Sequence, residues 1–392
     1  MITKIILALT LAFTVSFQGI ALADGGKITP SPLQKHSSSQ KWRLVYIEGG
    51  PYIDYAMIFN ATIDGLYELG LIENKYTGTV SSTQDMEKVW SWLAQNAGGD
   101  YIEFVEDGFY SANWDADRRN QNKIDILERI KTKNDIDIIL AFGTGAGLDM
   151  ATDEHNVPTL SMSVTDAVQA GIIQSIEDSG LDHVHGQVEL GRYERQLSIF
   201  YDIFTFKKLG VPTPNTDEGK ASIAYNDILR VAEKLNFEVV PCEAGLFEDD
   251  GTSFTNLQQC IETLSESSDA IYMTTNSGMQ WDKMGILLEP IIKAGIPSFS
   301  QSGLMETKLG VLMSIAQNSF ANEGMHGAET VLGVIEGAKP RSLSQVFEGP
   351  LGLAMNLEMA IRIGWNPPFE VLAASDIVYQ EIFTIEDEAE EK

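Results

Sequence analysis

From Trp42 onward, short apolar runs alternate along the chain with longer amphipathic stretches. The runs Leu44–Ile47, Ile102–Val105, Ile136–Phe142, Pro158–Met162 and Ala221–Tyr225 read as strands. So do Phe237–Val240, Ala270–Thr274, Ile296–Phe299 and Val311–Ile315. Each is brief, rich in β-formers and bounded by Gly, Asp, Asn or Pro. Helical patterns lie between them; Leu197, Phe200, Tyr201 and Phe204 follow the i, i+3, i+4, i+7 spacing of one apolar helix face. Strand–helix alternation repeated in this way predicts an α/β fold, with parallel sheets covered by helices on both faces. The stretch Asn74–Asp100 interrupts it with an extra helix, Thr83–Gln95, whose Trp90 and Trp92 suit packing on the domain surface better than a lid over a ligand.

At 392 residues the chain is long enough for two domains. It opens with Lys4, an apolar run Ile5–Phe17 and the small-x-small site Ala21-Leu22-Ala23. That is the pattern of a secretory signal cleaved after Ala23, and the apolar run is too short to span a bilayer. Without a cysteine near the site, no lipid anchor is expected. Asp24–Gln40 reads as a flexible Gly, Ser and Pro-rich leader, and 381–392 as an acidic tail.

A net charge of −29 disfavours nucleic acid and anionic membranes as partners, because phosphate recognition needs clustered Lys and Arg. Cys242 and Cys260, in an exported chain, are open to two readings: one disulfide, or two separate buried thiols.

Catalytic motifs are scarce. Gly143-Thr144-Gly145-Ala146-Gly147 follows a strand and opens a helix, so its N–H groups suit a ligand carboxylate or other oxygen. The dinucleotide spacing and the acidic residue ending the next strand are both missing, which argues against nicotinamide. His183-x-His185 lacks a third metal ligand at fixed spacing, and Glu248-Asp249-Asp250-Gly251 lacks calcium-loop spacing. No nucleophile elbow, Walker loop or kinase signature occurs. The expectation is a binding protein without cofactor or metal rather than an enzyme.

Several segments resemble the substrate-binding components of ABC importers of the tryptophan/tyrosine type, which have the type I periplasmic binding fold. They are Asp137–Ala146, Val157–Ala167 with Gly171, Asp269–Asn276, Gly295–Gly303, and Met355–Gly364 followed by Pro367-Pro368 and Leu372–Asp376. The resemblance runs from about Trp42 to Gln380, apart from the inserted helix. It implies two Rossmann-like doubly wound lobes, 41–187 with 318–343 and 188–317 with 344–380. Three hinge crossovers, near Gln187, Gln317 and Ser344, would join them.

It further implies a periplasmic, monomeric receptor that closes over a small molecule and delivers it to a membrane permease. A sensory protein of the same fold, reporting to a kinase or chemoreceptor, and an exported enzyme are the alternatives. Ligand would meet the strand-end loops, with Tyr52, Tyr55, Gly143, Thr144, Gly145 and Asp166 in one lobe. Asn226, Asn276, Gln301 and Ser302 would face it from the other. Two departures stand out. Amino-acid-binding members usually carry an acidic residue where this chain has Gln301, and the helix after Tyr225-Asn226 is shorter than theirs. A neutral amide there predicts a ligand without a free α-ammonium, with Asp166 as the one nearby source of the missing charge.

Overall fold

The computed structural model describes residues 41–78, 86–245, 252–317, 320–347, 349 and 351–384. The signal segment, the leader, the 248–251 turn and residues 385–392 of the acidic end lie outside them.

In chain order the first layer comprises β1 (Trp42–Glu48), α1 (Ile53–Glu68), α2 (Met86–Asn96), β2 (Ile102–Ser111), α3 (Ala116–Thr132), β3 (Ile138–Phe142), α4 (Gly143–Met150), β4 (Thr159–Met162) and β5 (Val184–Gly186). Its strands form one parallel sheet in the order β2-β1-β3-β4-β5. Strand β3, Ile-Ile-Leu-Ala-Phe, is buried along its whole length, as a central parallel strand between two helical layers must be. Helix α3 starts where the Asp115 carboxylate accepts the Arg118 N–H, satisfying one of the free donors of the first turn.

The second layer follows through β6 (Val188–Glu189), α5 (Arg192–Phe204), β7 (Lys208–Thr213), α6 (Asp217–Ser222), α7 (Tyr225–Leu235), β8 (Glu238–Glu243), α8 (Ser253–Ser267), β9 (Ala270–Met273), α9 (Met284–Ala294), β10 (Ser298–Ser300), α10 (Leu304–Lys308) and β11 (Met313–Gln317). The chain then forms α11 (Ala321–Ile335), β12 (Val346–Phe347), β13 (Leu351–Asn356), α12 (Leu357–Arg362), α13 (Phe369–Ala374) and β14 (Ile377–Tyr379). The second sheet runs β14-β13-β11-β10-β9-β7-β8, parallel except for the β11–β13 pair. Helix α11 packs along α1 of the first layer, and β6 pairs with β12 between the two sheets. Three connecting segments therefore link the layers: β5 to α5, β11 to α11, and β12 to β13.

One expected strand is absent. Ala221–Tyr225 is the end of α6, a left-handed turn at Ala224 (φ 49°) and the start of α7. The strand lies upstream, in β7, where Gly210 and Pro212 disguise it. Gly210 is needed because a Cβ there would meet Ser268 Oγ at 2.9 Å and Leu264 Cβ at 3.1 Å. The Pro212 carbonyl accepts the Thr274 hydroxyl at 2.7 Å.

The inserted helix α2 is a packing element. Trp90 is 1% exposed, packs with tilted and edge-on ring contacts among Tyr46, Phe59, Phe104 and Phe109, and donates its indole N–H to Val105 O at 2.8 Å. Trp92 sits edge-on to Tyr76. Cys242 of β8 and Cys260 of α8 form a disulfide with their Cα atoms 5.6 Å apart.

Candidate ligand-binding cleft

Parallel sheets present their C-terminal strand ends to ligands, and here both sheets turn those ends toward one cavity of about 80 Å³. At ~10–15 Å³ per water centre this has room for several waters, and so for one small solute. The first sheet contributes Tyr52, Asp54 and Tyr55 after β1, Thr144 at the start of α4, and Ser163 and Thr165 after β4. The second contributes Ser222, Thr275, Ser277, Gln301 and Ser302. The connecting segments form the rest of the wall with Gln187, Glu189, Arg192, Tyr193, Phe320, Glu323 and Phe347.

The two layers touch across the mouth. Tyr52 Oη lies 3.2 Å from Ser302 Oγ, and the Asn226 N–H donates to Gln169 Oε1 at 3.3 Å. Arg119 of α3 donates to Glu218 of α6 at 2.7 Å while also holding Asp149 of α4.

Of the residues expected at the site, Tyr52, Tyr55, Thr144, Gln301 and Ser302 line the cavity. The others do not. Gly143 (φ +83°) gives room to Tyr55, whose hydroxyl lies 1.9 Å from where a Cβ would stand, and the Gly145 carbonyl accepts Arg119 at 2.8 Å. Glycine here admits two side chains rather than baring an anion nest. Asp166 caps its own turn, accepting the N–H of Val168 and of Gln169. Asn276 braces a loop, accepting the Gly278 N–H at 2.8 Å and donating to Gly245 O at 3.2 Å. Asn226 reaches the cleft's edge only through its backbone N–H.

Gln301 lines the cavity, but both ends of its amide are engaged. Its oxygen accepts the Thr275 N–H at 2.9 Å, and its nitrogen donates to Ile223 O at 2.8 Å. The neutral residue at this position is thus a brace between the loops after β9 and β10 and the turn that joins α6 to α7. The ground for expecting a ligand without an ammonium group falls away.

The charge of the cavity comes instead from the connecting segments and from α1. Arg192 donates to Ser302 O at 2.9 Å and to Glu189 Oε2 at 3.4 Å. Burial works against its charge, yet Tyr193, Glu189, Glu323 and Asp54 around it hold the guanidinium above its ordinary pKa. Burial pushes the Glu323 carboxyl up to about 8 and Asp54 up to about 6, each against the pull of Arg192. Asp54 is half-buried and lines the cavity.

Four polar atoms in the lining are buried without a hydrogen-bond partner among the described residues: Gln187 Oε1, Glu189 Oε1, Arg192 Nε and Ser277 Oγ. Native interiors rarely leave such atoms unpaired, and all four belong to residues that line this cavity.

Asp54, Gln187, Glu189, Arg192 and Glu323 line the cavity too but were not among the residues expected there; Asp54 lies in the expected loop after β1, whereas the other four sit on the connecting segments rather than at strand ends. One available signal was the pair Gly324 and Gly327 beside Glu323. A Cβ at Gly324 would strike the Ala61 backbone at 2.3 Å, so these glycines let α11 lie against α1 and bring Glu323 to the cavity. The histidines do not converge. His183 packs against His155 and shares a hydrogen bond with Thr152 O, whereas His185 packs beside His326 and meets Ser344 O. Among the described residues, no group of three or more His, Cys, Asp or Glu could hold a metal ion.

The family model for ABC transporter substrate binding proteins matches residues 105–378. A curated relative, the tyrosine-binding protein of Clostridioides difficile, is 27% identical over 184 residues, 45% of this chain. The match spans about half (51%) of that relative's length. Among solved structures, a conserved domain protein of Vibrio cholerae superposes with a TM-score of 0.67 at 19% identity. An ABC domain of Streptococcus pneumoniae in complex with L-Trp also gives 0.67, at 15% identity. Each alignment covers 86% of this chain and all of the other. The fold is that of the type I periplasmic binding proteins.

Proposed function

The chain belongs to the ABC transporter substrate-binding protein family, and from that premise we propose that it is a periplasmic receptor which closes its two lobes over one small molecule and presents it to a membrane permease. The observation that carries this reading is the cavity between the two sheets, whose lining residues include four buried polar atoms without a hydrogen-bond partner among the described residues. A ligand completing those bonds would favour the closed arrangement by its differential contacts to it.

Export follows from the expected signal at residues 1–23. Strand-end Tyr52 and Tyr55, edge-on at 5.3 Å between ring centres, offer an aromatic wall. Relatives named for tyrosine and solved with L-Trp make amino-acid-sized solutes the first to try.

Mass spectrometry of the small molecules released from natively purified protein tests the reading. One compound recovered near one per chain, which restores a lost thermal shift when added back, is the expected result. Turnover of that compound, or no stabilising solute in a native small-molecule extract, would count against it.

A further inference from the structure

Strand β2 passes into α3 through a short turn, Ala112 to Asp115. Within it Asn113 and Trp114 both hold left-handed backbone, with φ of 52° and 66°. Among the described residues no other two adjacent non-glycine residues do so. Asparagine tolerates that region, whereas a bulky side chain there is an outlier. The turn is held from several sides. The Ser111 hydroxyl donates to the buried Glu48 carboxyl at 2.7 Å and accepts the Asn113 N–H at 3.3 Å. The Trp114 N–H donates to Gly49 O at 2.8 Å, and the Asp115 N–H to Ala112 O at 3.0 Å. Backbone strain fixed by its surroundings in this way gathers where a protein binds or reacts.

Two glycines make room for the indole. A Cβ at Gly50 would stand 2.3 Å from Trp114 Cδ2 and 2.6 Å from Cγ and Cε2, inside the ring system. One at Gly49 would lie 3.5 Å from Cζ3. Neither glycine has a positive φ, so what glycine supplies at position 50 is space and not a turn. That Gly-Gly step begins the loop from which Tyr52, Asp54 and Tyr55 line the cavity, and Trp114, half-buried, lines it as well. The largest side chain of the lining is thus set on strained backbone against a neighbour reduced to glycine. Fixed bulk in a packed wall excludes solutes by volume, because a close-packed interior does not stretch to admit extra atoms.

Resting on the receptor reading of the cleft, we infer that Trp114 is a specificity-determining residue, which sets the upper size of solute that the cleft accepts. Gly50 is its necessary partner, since it leaves the indole room to stand in the wall. With a smaller side chain at position 114, the space filled by the indole passes to the cavity and larger solutes fit.

Trp114→Gly removes the bulk and suits a φ of 66°, so the fold should survive it. Thermal shift and calorimetry compare this variant with wild type on L-alanine, L-valine, L-leucine, L-phenylalanine, L-tyrosine and L-tryptophan, one head on side chains of rising size. Mass spectrometry of what each protein retains from a native small-molecule extract extends the comparison to other chemistries. The wild type should refuse compounds above a size limit. The variant should bind at least one of those about 10-fold or more tightly, or retain from the extract a heavier compound that wild type leaves behind. Gly50→Ala, which drives a methyl into the indole, should weaken whatever the wild type accepts and add nothing once Trp114→Gly is in place.

The inference is overturned if the two proteins accept the same compounds in both arms. It is also overturned if Trp114→Gly weakens every compound by one factor, which is what mere support of the loop would do. A wild type that retains a compound from the extract in these cases leaves the receptor reading standing, and one that retains nothing removes both. Should Trp114→Gly not fold, Trp114→Phe, which shortens the wall, serves in its place.

Discussion

The Arg119 guanidinium of the first lobe meets the Glu218 carboxylate of the second at 2.7 Å, while its other face holds Asp149 of its own lobe at 2.7 Å. Glu218 is thus the separable half of a latch, since removing it leaves the Arg119–Asp149 pair intact. Both partners are about a quarter exposed, so the latch is modest. Glu218→Gln should weaken ligand affinity about 2- to 5-fold, and the loss should shrink in high salt. Calorimetry at low and high ionic strength reads it. Unchanged affinity at low salt would show that the pair does not bear on closure.

Stability should respond to pH through Glu323. A carboxyl raised from 4.5 to about 8 binds its proton more tightly in the fold, so its contribution is full below 4.5 and is lost as the pH climbs through about 8. The groups facing it are Arg192, which lowers the value, and Glu189 and Asp54, which raise it. Asp54 and Glu306 titrate in the same window, near 6 and 7. Thermal scans of wild type and Glu323→Gln between pH 5 and about 8 should therefore differ in slope, the variant falling less. Parallel slopes would remove Glu323 from this role.

Gln301 is expected to matter for the fold first and for the ligand second. Truncation to Ala removes the partner that the Gln301 amide gives the Thr275 N–H and the Ile223 carbonyl. A loss of about 1–3 kcal/mol in denaturant unfolding follows from leaving buried groups unpaired. A variant as stable as the wild type, with ligand binding abolished, would return the amide to the ligand's own shell.

The Cys242–Cys260 bridge closes a loop of 18 residues between β8 and α8. Closing it should stabilise the protein by roughly 3 kcal/mol on the chain-entropy model. The denatured, unreduced protein should show no titratable thiol, and two per chain would contradict the pairing.

The α/β class and the strand-end loops were legible because both are written in local pattern. Apolar runs such as Ile138–Phe142 declare a buried parallel strand, and the loop after each run faces the cleft by the geometry of parallel sheets. Tyr52, Tyr55, Thr144 and Ser302, expected on such loops, line the cavity between the sheets. β7 escaped because Gly210 and Pro212 look like turn residues until Ser268 and Leu264 are seen to close on Gly210. Glu189, Arg192 and Glu323 escaped for a different reason. Their charge reads as ordinary surface in a strongly acidic chain; the return of α11 onto α1 brings Glu323 inside, while Glu189 and Arg192 pair with each other on the first connecting segment. Likewise Gln301 looked like a ligand contact until the Thr275 N–H and Ile223 carbonyl were seen to occupy its amide.

Small-angle scattering with and without the ligand recovered from the native protein tests the central claim most directly. A receptor that closes over its solute should show a smaller radius of gyration at saturation, with a melting temperature that rises with ligand as RT ln(1 + [L]/Kd) requires. The same radius in both states, at saturating ligand, would contradict a cleft that closes.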